Sequence, residues 1–326
     1  MKIVIITISV LIAAYVAFIA APGIFAYFAV FARRKTVGIE ELAATPYFKP
    51  YIEKIEAAVE RLKGLNGKTV YINGFKNTPL CGLYIDNGSE KTAVLFHGYH
   101  AEPLVNFGVQ ASFLYDKGFN LLLPSQRGHG ESGGKSTLGI YEKHDLLAWL
   151  DWVKTQTHAK EALVYGMSMG CFAAESASAE FDPSFVKAAV YDCGFLSPYS
   201  QLCFDLKKRH FPSAPVVAWT RLVVRLALGE DMKKSAKKPL SESGIPSLFL
   251  HGTRDGTVPF SDGKNNYEAC AAEKKMYAVE GAHLALESLG VDLINVSQFD
   301  QFRHGAILNI PCRNCPSWWR SRSYTA

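Results

Sequence analysis

The sequence has no paired cysteine pattern, no basic stripe and no internal repeat, and each absence removes a class of protein. Seven cysteines (Cys81, Cys171, Cys193, Cys203, Cys270, Cys312 and Cys315) are an odd number spread over 326 residues. That argues against a small disulfide-stapled scaffold and for thiols that pack as small hydrophobes. The formal charge of +5 is mild, and its cations are not gathered with interleaved aromatics, so nucleic acid is not an expected partner. With no low-complexity tract, 48% hydrophobic and 20% charged residues, most of the chain reads as one domain of about 250–280 residues.

The most local absence is of charge. Residues 3–31 hold no Asp, Glu, Lys or Arg, and the flanks are Lys2 and Arg33-Arg34-Lys35. At about 1.5 Å per residue this run exceeds the roughly 30 Å of a bilayer's hydrocarbon core. A cleaved signal peptide has an apolar core of only about 7–15 residues, and a buried core helix is the third reading. The length favours a retained single-pass membrane anchor over residues 1–35, with Pro22 and Gly23 expected to kink the helix or end its tightly packed part. Lys2 and the α-amino group stand against Arg33, Arg34 and Lys35. That difference of about one charge puts the domain in the cytoplasm by the positive-inside rule, an outward-facing domain being the alternative.

Beyond the anchor, residues 36–67 read as a connector with a helix, since Tyr51, Ile55, Ala58 and Leu62 recur at spacings of three and four. β-rich runs at 69–72 and 80–85 then suggest an opening antiparallel pair. Short apolar runs follow at 92–96, 120–123, 162–165, 188–191, 246–250 and 275–278, with helix-length segments between them. One of these, 141–154, lines up Leu146, Leu147, Leu150 and Val153. The alternation predicts an α/β fold, a mostly parallel central sheet flanked by helices, over residues 68–290. Residues at about 195–240 interrupt it with aromatic and basic helical material, read as a cap over the sheet's active edge. Residues 291–326 read as an atypical tail: the periodicity of a covering helix is missing, and Pro311-Cys312-Arg313-Asn314-Cys315-Pro316 with Trp318-Trp319 looks like foreign sequence, for which a shifted reading frame is one explanation. A single C-x-x-C is half a zinc ligand set.

Four segments carry chemistry. Gly166-Met167-Ser168-Met169-Gly170 stands between the apolar run 162–165 and a helix-forming run, the context in which a serine is displayed on a sharp strand-to-helix turn whose neighbours must lack side chains. His97-Gly98-Tyr99 ends another strand, where a backbone N–H can face a developing oxyanion; Tyr99 and Met169 are the expected donors. Asp255, in His251-Gly252-Thr253-Arg254-Asp255-Gly256 after a third strand, is placed to orient an imidazole, though Asp-Gly is also an ordinary turn. His283, in Glu280-Gly281-Ala282-His283 after the last strand, completes the chain order Ser, Asp, His as the general base. Asp192, at the end of the 188–191 run, is the alternative acid.

The order of His97-Gly98, Arg127-Gly128-His129-Gly130, Gly166-Met167-Ser168-Met169-Gly170, the Asp255 loop and His283 resembles the α/β-hydrolase superfamily over roughly residues 68–285. It is most similar to the bacterial serine hydrolases known variously as esterases, serine aminopeptidase-like or prolyl-oligopeptidase-like proteins, which often carry an N-terminal anchor. The resemblance implies Ser168, Asp255 and His283 as the triad, the Tyr99 and Met169 amides as the oxyanion hole, and residues 127–130 as a structural loop. No cofactor or metal is expected. The expected substrate is a small-molecule ester, with a short peptide second and an inactive binding or scaffold protein as the alternative from another class. Phe204, Phe211, Trp219 and the run 222–228 suggest an apolar acyl pocket or the cap's own core.

Overall fold

The computed structural model describes residues 1–33, 35–45 and 48–279. His283, Cys312, Cys315 and the whole 291–326 tail lie outside the described residues. Eight strands form one sheet: β1 (Lys68–Gly74), β2 (Thr78–Ile85), β3 (Lys91–Phe96), β4 (Asn120–Pro124), β5 (Glu161–Met167), β6 (Val186–Asp192), β7 (Ser247–Gly252) and β8 (Lys274–Val279). Their order is β1-β2-β4-β3-β5-β6-β7-β8. β1 pairs antiparallel with β2, Lys68 opposite Tyr84, and β2 antiparallel with β4. From β4 to β8 every pairing is parallel.

Burial follows from this placement. β3, β4 and β5 are buried along nearly their whole length, which is why they appear in the sequence as unbroken apolar runs rather than alternating ones. β1, on the edge, alternates exposed and half-buried positions. Among the described residues the α-helices of six residues or more are α1 (Lys2–Val30), α2 (Ile52–Lys63), α3 (Pro103–Asp116), α4 (Glu142–Gln156), α5 (Met169–Ala177), α6 (Pro198–Lys208), α7 (Ser213–Leu228), α8 (Lys237–Glu242) and α9 (Phe260–Ala269). On α4, Leu146, Leu150 and Val153 are buried and Leu147 is partly so. On α2, Ile55 and Leu62 are buried with Val59, and Ile55 and Val59 pack with Val105 of α3.

Between β6 and β7 there is no strand; α6, α7 and α8 fill the interval. α7 stops at Gly229, whose φ of +73° is the left-handed conformation a helix end takes most easily at glycine. Its inner face buries Val216, Val217, Thr220 and Val224. Phe211, Leu222 and Leu226 are exposed, so these three contribute neither to the cap's core nor to an enclosed acyl pocket. Trp219 is half-buried, against the N-terminal helix.

At its proline that helix is locally distorted. It does not end at Pro22 but runs on to Val30, and the five residues Val16–Ala20 form a π-helical turn just before it. Pro22 has no N–H for the carbonyl of Phe18, and a widened turn there accommodates the ring without breaking the rod. Phe31, immediately after the helix, is buried in the main core of the domain.

Candidate active site

The strands from β5 to β8 lie side by side and parallel, so their C-terminal ends open on one edge of the sheet, where open α/β sheets bind ligands. Ser168 follows β5, Asp192 ends β6, and Asp255 lies three residues beyond Gly252, the end of β7. β8 ends at Val279, four residues before His283.

Ser168 has φ +53° and ψ −112°, a strained backbone for a residue with a Cβ. The glycines around it are required by contact. A Cβ on Gly166 would lie 2.5 Å from the Gly170 carbonyl oxygen, and one on Gly170 would lie 1.9 Å from the carbonyl oxygen of Phe96. The elbow is therefore wedged against the end of β3. The Ser168 N–H donates to the Asp192 carbonyl at 2.8 Å, and the Ser168 carbonyl accepts from Phe172 N–H at 3.0 Å, so the serine is tied to β6 behind and to α5 ahead. Met169 is the first residue of α5, where a helix's opening N–H groups have no partner within the helix.

Gly98 faces the serine directly: a Cβ there would sit 3.4 Å from Ser168 Cβ. The loop after β3 is held by Asn106, which the sequence did not single out, and by the histidines of the 97–99 and 127–130 segments. Asn106, buried on α3, accepts from Gly98 N–H at 2.8 Å and donates to Met167 Sδ at 3.0 Å, joining the loop to β5. His97 is fully buried, bonded through Nδ1 to the Gly98 carbonyl at 2.7 Å and through Nε2 to Gln126 N–H at 3.0 Å. Burial, then the neighbouring His129, lowers its pKa to about 3, so it is a neutral brace at ordinary pH. His129 repeats the arrangement, Nδ1 with the Arg127 carbonyl and Nε2 accepting from His100 N–H at 3.0 Å each. Burial lowers its pKa as well.

Arg127 explains its own loop. It makes a bidentate pair with Asp145 of α4, Nε to Oδ2 and Nη2 to Oδ1 at 2.6 Å each, and reaches the Phe75 carbonyl at 3.1 Å. Both side chains are buried, so either one alone would be a desolvated charge. The segment 127–130 is accordingly structural, as the resemblance implies.

On the acid side, Asp255 is buried, and its Oδ1 accepts from Thr257 N–H at 2.7 Å and Val258 N–H at 2.9 Å. Its Oδ2 lies 3.4 Å from His251 Nε2, which also meets the Val258 carbonyl at 3.1 Å. Asp192 is held differently: Tyr165 Oη donates to Oδ2 and Cys193 Sγ to Oδ1, both at 3.1 Å. Cys193, His251 and Asp255 bring donor atoms within 4.8 Å of one another. The thiol and the imidazole Nε2 are both engaged in the hydrogen bonds just given, so this is a polar network. Among the described residues the predicted Ser168, Tyr99, Met169 and Asp255 all occur on this edge, with Asp192 beside them. Asn106 is an addition, and nothing in the sequence sets it apart from Gln110 and Ser112, which α3 also buries.

A crossover sheet of this order, with a serine elbow after β5, defines the α/β-hydrolase fold. The α/β hydrolase fold family model matches residues 92–214. Protein YqkD of Bacillus subtilis (strain 168) is 28% identical over 199 residues, 60% of this chain and 65% of that one. Acylamino-acid-releasing enzyme 1 of Oryza sativa subsp. japonica is 26% identical over 201 residues, 55% of this chain and 25% of the enzyme. The match thus spans less than two thirds of either relative. Esterase Pf2001 of Pyrococcus furiosus superimposes with a TM-score of 0.61 at 23% identity, covering 83% of this chain and 98% of that one. Est1E of Butyrivibrio proteoclasticus, solved with ferulic acid bound, gives 0.56 at 16% identity over 72% and 99%. The chain has the α/β-hydrolase fold.

Proposed function

We propose that the protein is a membrane-anchored serine hydrolase that cleaves carboxylic esters through an acyl-enzyme. The observation that carries this reading is the strained Ser168, presented on its elbow with the Gly98 backbone against its Cβ. His283 takes the Ser168 proton as Oγ bonds to the ester carbonyl carbon, and the Tyr99 and Met169 amides hold the oxyanion. The C–O bond to the alcohol then breaks, with His283 returning the proton to the alkoxide. Water, activated by the same histidine, adds to the acyl carbon and releases the acid and free Ser168. Asp255 keeps His283 in the right tautomer; its anchored Oδ1 supports that role by fixing the carboxylate plane.

A peptide is the second reading of the substrate, favoured by the similarity to an acylamino-acid-releasing enzyme. An ester comes first because an alkoxide needs less proton assistance on departure than an amine does. The membrane anchor rests on α1, 29 residues long, whose most apolar stretch has mean hydropathy 2.8 and is only 6% buried. Retention rather than cleavage is supported by the contacts of its second half with the domain, which a cleaved leader would forfeit.

The test is hydrolysis of p-nitrophenyl esters by the detergent-solubilised protein. Ser168→Ala is expected to lower kcat by up to about 10⁶. A variant that retained normal turnover would dismiss this mechanism, and cleavage of peptides with no ester turnover would reverse the order of substrates.

A further inference from the structure

α1 is too long for a simple span, and its surplus is built into the site. Its 29 residues measure about 43 Å at the helical rise, against roughly 30 Å of hydrocarbon. Residues 2–18 are exposed apart from half-buried Ala14, whereas Ala20, Gly23 and Phe31 are buried and Ile19, Tyr27 and Val30 half-buried. The surplus packs on α7. A Cβ on Gly23 would lie 2.5 Å from Trp219 Cβ, Thr220 Oγ1 donates to the Gly23 carbonyl at 2.9 Å, and Trp219 Nε1 donates to Tyr15 Oη at 2.7 Å.

The end of α1 then reaches the loops beside the serine. Tyr99 Oη donates to the Val30 carbonyl at 2.6 Å, Arg33 Nη2 to the Gly130 carbonyl at 2.6 Å, and Val37 N–H to the His100 carbonyl at 2.7 Å. The oxyanion loop is thus bonded to the anchor itself. Counting about 30 Å from Ile3 puts the far edge of the hydrocarbon near Pro22. Tyr15 lies short of that edge, and Trp219 with it. On the same helix as Trp219, α7 turns outward Leu222, 44% exposed, and Leu226, 79% exposed; past the edge, at interface depth, α1 turns outward Phe25 and Phe28. The end of α6 and the turn into α7 expose Lys207, Lys208, which donates to the Gly256 carbonyl at 2.7 Å, and Arg209 near Phe211, the pairing of cations with an aromatic that suits anionic headgroups.

We infer that α7 lies in the lipid leaflet alongside α1, and that the site takes its ester from the bilayer: the substrate is a long-chain acyl ester dissolved in the membrane. The inference rests on the anchored ester-hydrolase reading above and uses its chemistry unchanged, ester and water giving acid and alcohol. From Pro22 to the Tyr99 contact at Val30 is eight residues, or about 12 Å of helix, so a lipid carbonyl at the interface has a short path to the serine.

Two measurements test it on the full-length protein in phosphatidylcholine–phosphatidylglycerol vesicles. The first compares tryptophan emission of the parent and Trp219→Phe with acyl-chain-brominated lipid present or absent. The Trp219 component is expected to be quenched; an unquenched component overturns the leaflet placement. The second compares p-nitrophenyl palmitate dissolved in the vesicles with water-soluble p-nitrophenyl acetate, for the parent and for Leu222→Glu/Leu226→Glu. Both leucines are exposed, so the double variant retains its core. Vesicle-borne turnover is expected to fall at least about tenfold, because two carboxylates resist entering the leaflet, with acetate turnover unchanged. If the variant treats both esters like the parent, or loses both equally, uptake from the bilayer is wrong and ester hydrolysis stands. If the parent cleaves neither ester, the hydrolase reading falls, and the substrate assignment with it.

Discussion

The two sides of the candidate site are built from different materials. On the side of β3 and β5 the geometry is set by backbone: a serine at positive φ and two glycines whose replacement would drive a carbon into a carbonyl. On the side of β6 and β7 it is set by side chains, with Asp255 held by turn amides and Asp192 by a tyrosine and a thiol. Backbone construction tolerates almost no substitution, because no rotamer can relieve a clash with main chain. Side-chain construction tolerates exchange of parts and for that reason leaves two carboxylates competing for one role.

The largest effect should decide that competition. Asp255→Asn is expected to lower kcat by about 10⁴, the scale for losing the tautomer control of a triad histidine, while Asp192→Asn stays within about tenfold. Stopped-flow or plate assays of both variants on one ester measure this, and the opposite order would move the acid to Asp192. Next comes the backbone side. Gly170→Ala must displace the Phe96 carbonyl from 1.9 Å and is expected to cost about 3 kcal/mol of stability or more in denaturant unfolding. A neutral result would mean that the elbow is not wedged against β3.

Asn106 sharpens the contrast, being a side chain that positions backbone. Asn106→Ala leaves the buried Gly98 N–H without its acceptor, and should lower kcat about 10- to 100-fold with little change in KM. A change in KM alone would make it a binding residue instead.

The smallest effect concerns two buried titratable groups with opposite signs. His97, lowered to about 3 by burial and then by His129, binds its proton more weakly folded than unfolded. It therefore makes stability rise with pH between about 3 and its ordinary value near 6.5. Glu175, fully buried beside Asn266 Nδ2 at 2.9 Å, has its pKa pushed well up by desolvation. It keeps its proton when folded and loses it when unfolded, so it makes stability fall as pH climbs past the ordinary carboxyl range. Glu175→Gln is expected to raise the melting temperature at pH 8 by about 2 °C or more and to leave it unchanged at pH 4. An equal gain at both values would show a packing effect rather than a proton.

The contrast also explains what the sequence could and could not tell. The inner parallel strands were visible in it because buried parallel strands are unbroken apolar runs, β1 and β2 because their runs are rich in β-formers, and the elbow because strained backbone demands glycine at fixed spacing. Asn106 was not, because a polar side chain bracing a loop from a distant helix leaves no periodic trace. The cap's leucines were misread for a related reason. An apolar stripe such as Leu222 and Leu226 looks the same in sequence whether it faces a core, a pocket or a lipid. At Pro22, where a kink or an end to the tight packing is expected, the helix is distorted and continues, because a widened turn upstream absorbs the proline; nothing in Val16–Ala20 announces that turn.

The most direct test of the account is labelling of the solubilised protein with a fluorophosphonate, mapped by mass spectrometry. The account predicts one modified peptide, carrying the phosphonyl group on Ser168, and no labelling of Ser168→Ala. A folded protein that takes up no label, or takes it up at another serine, would contradict it.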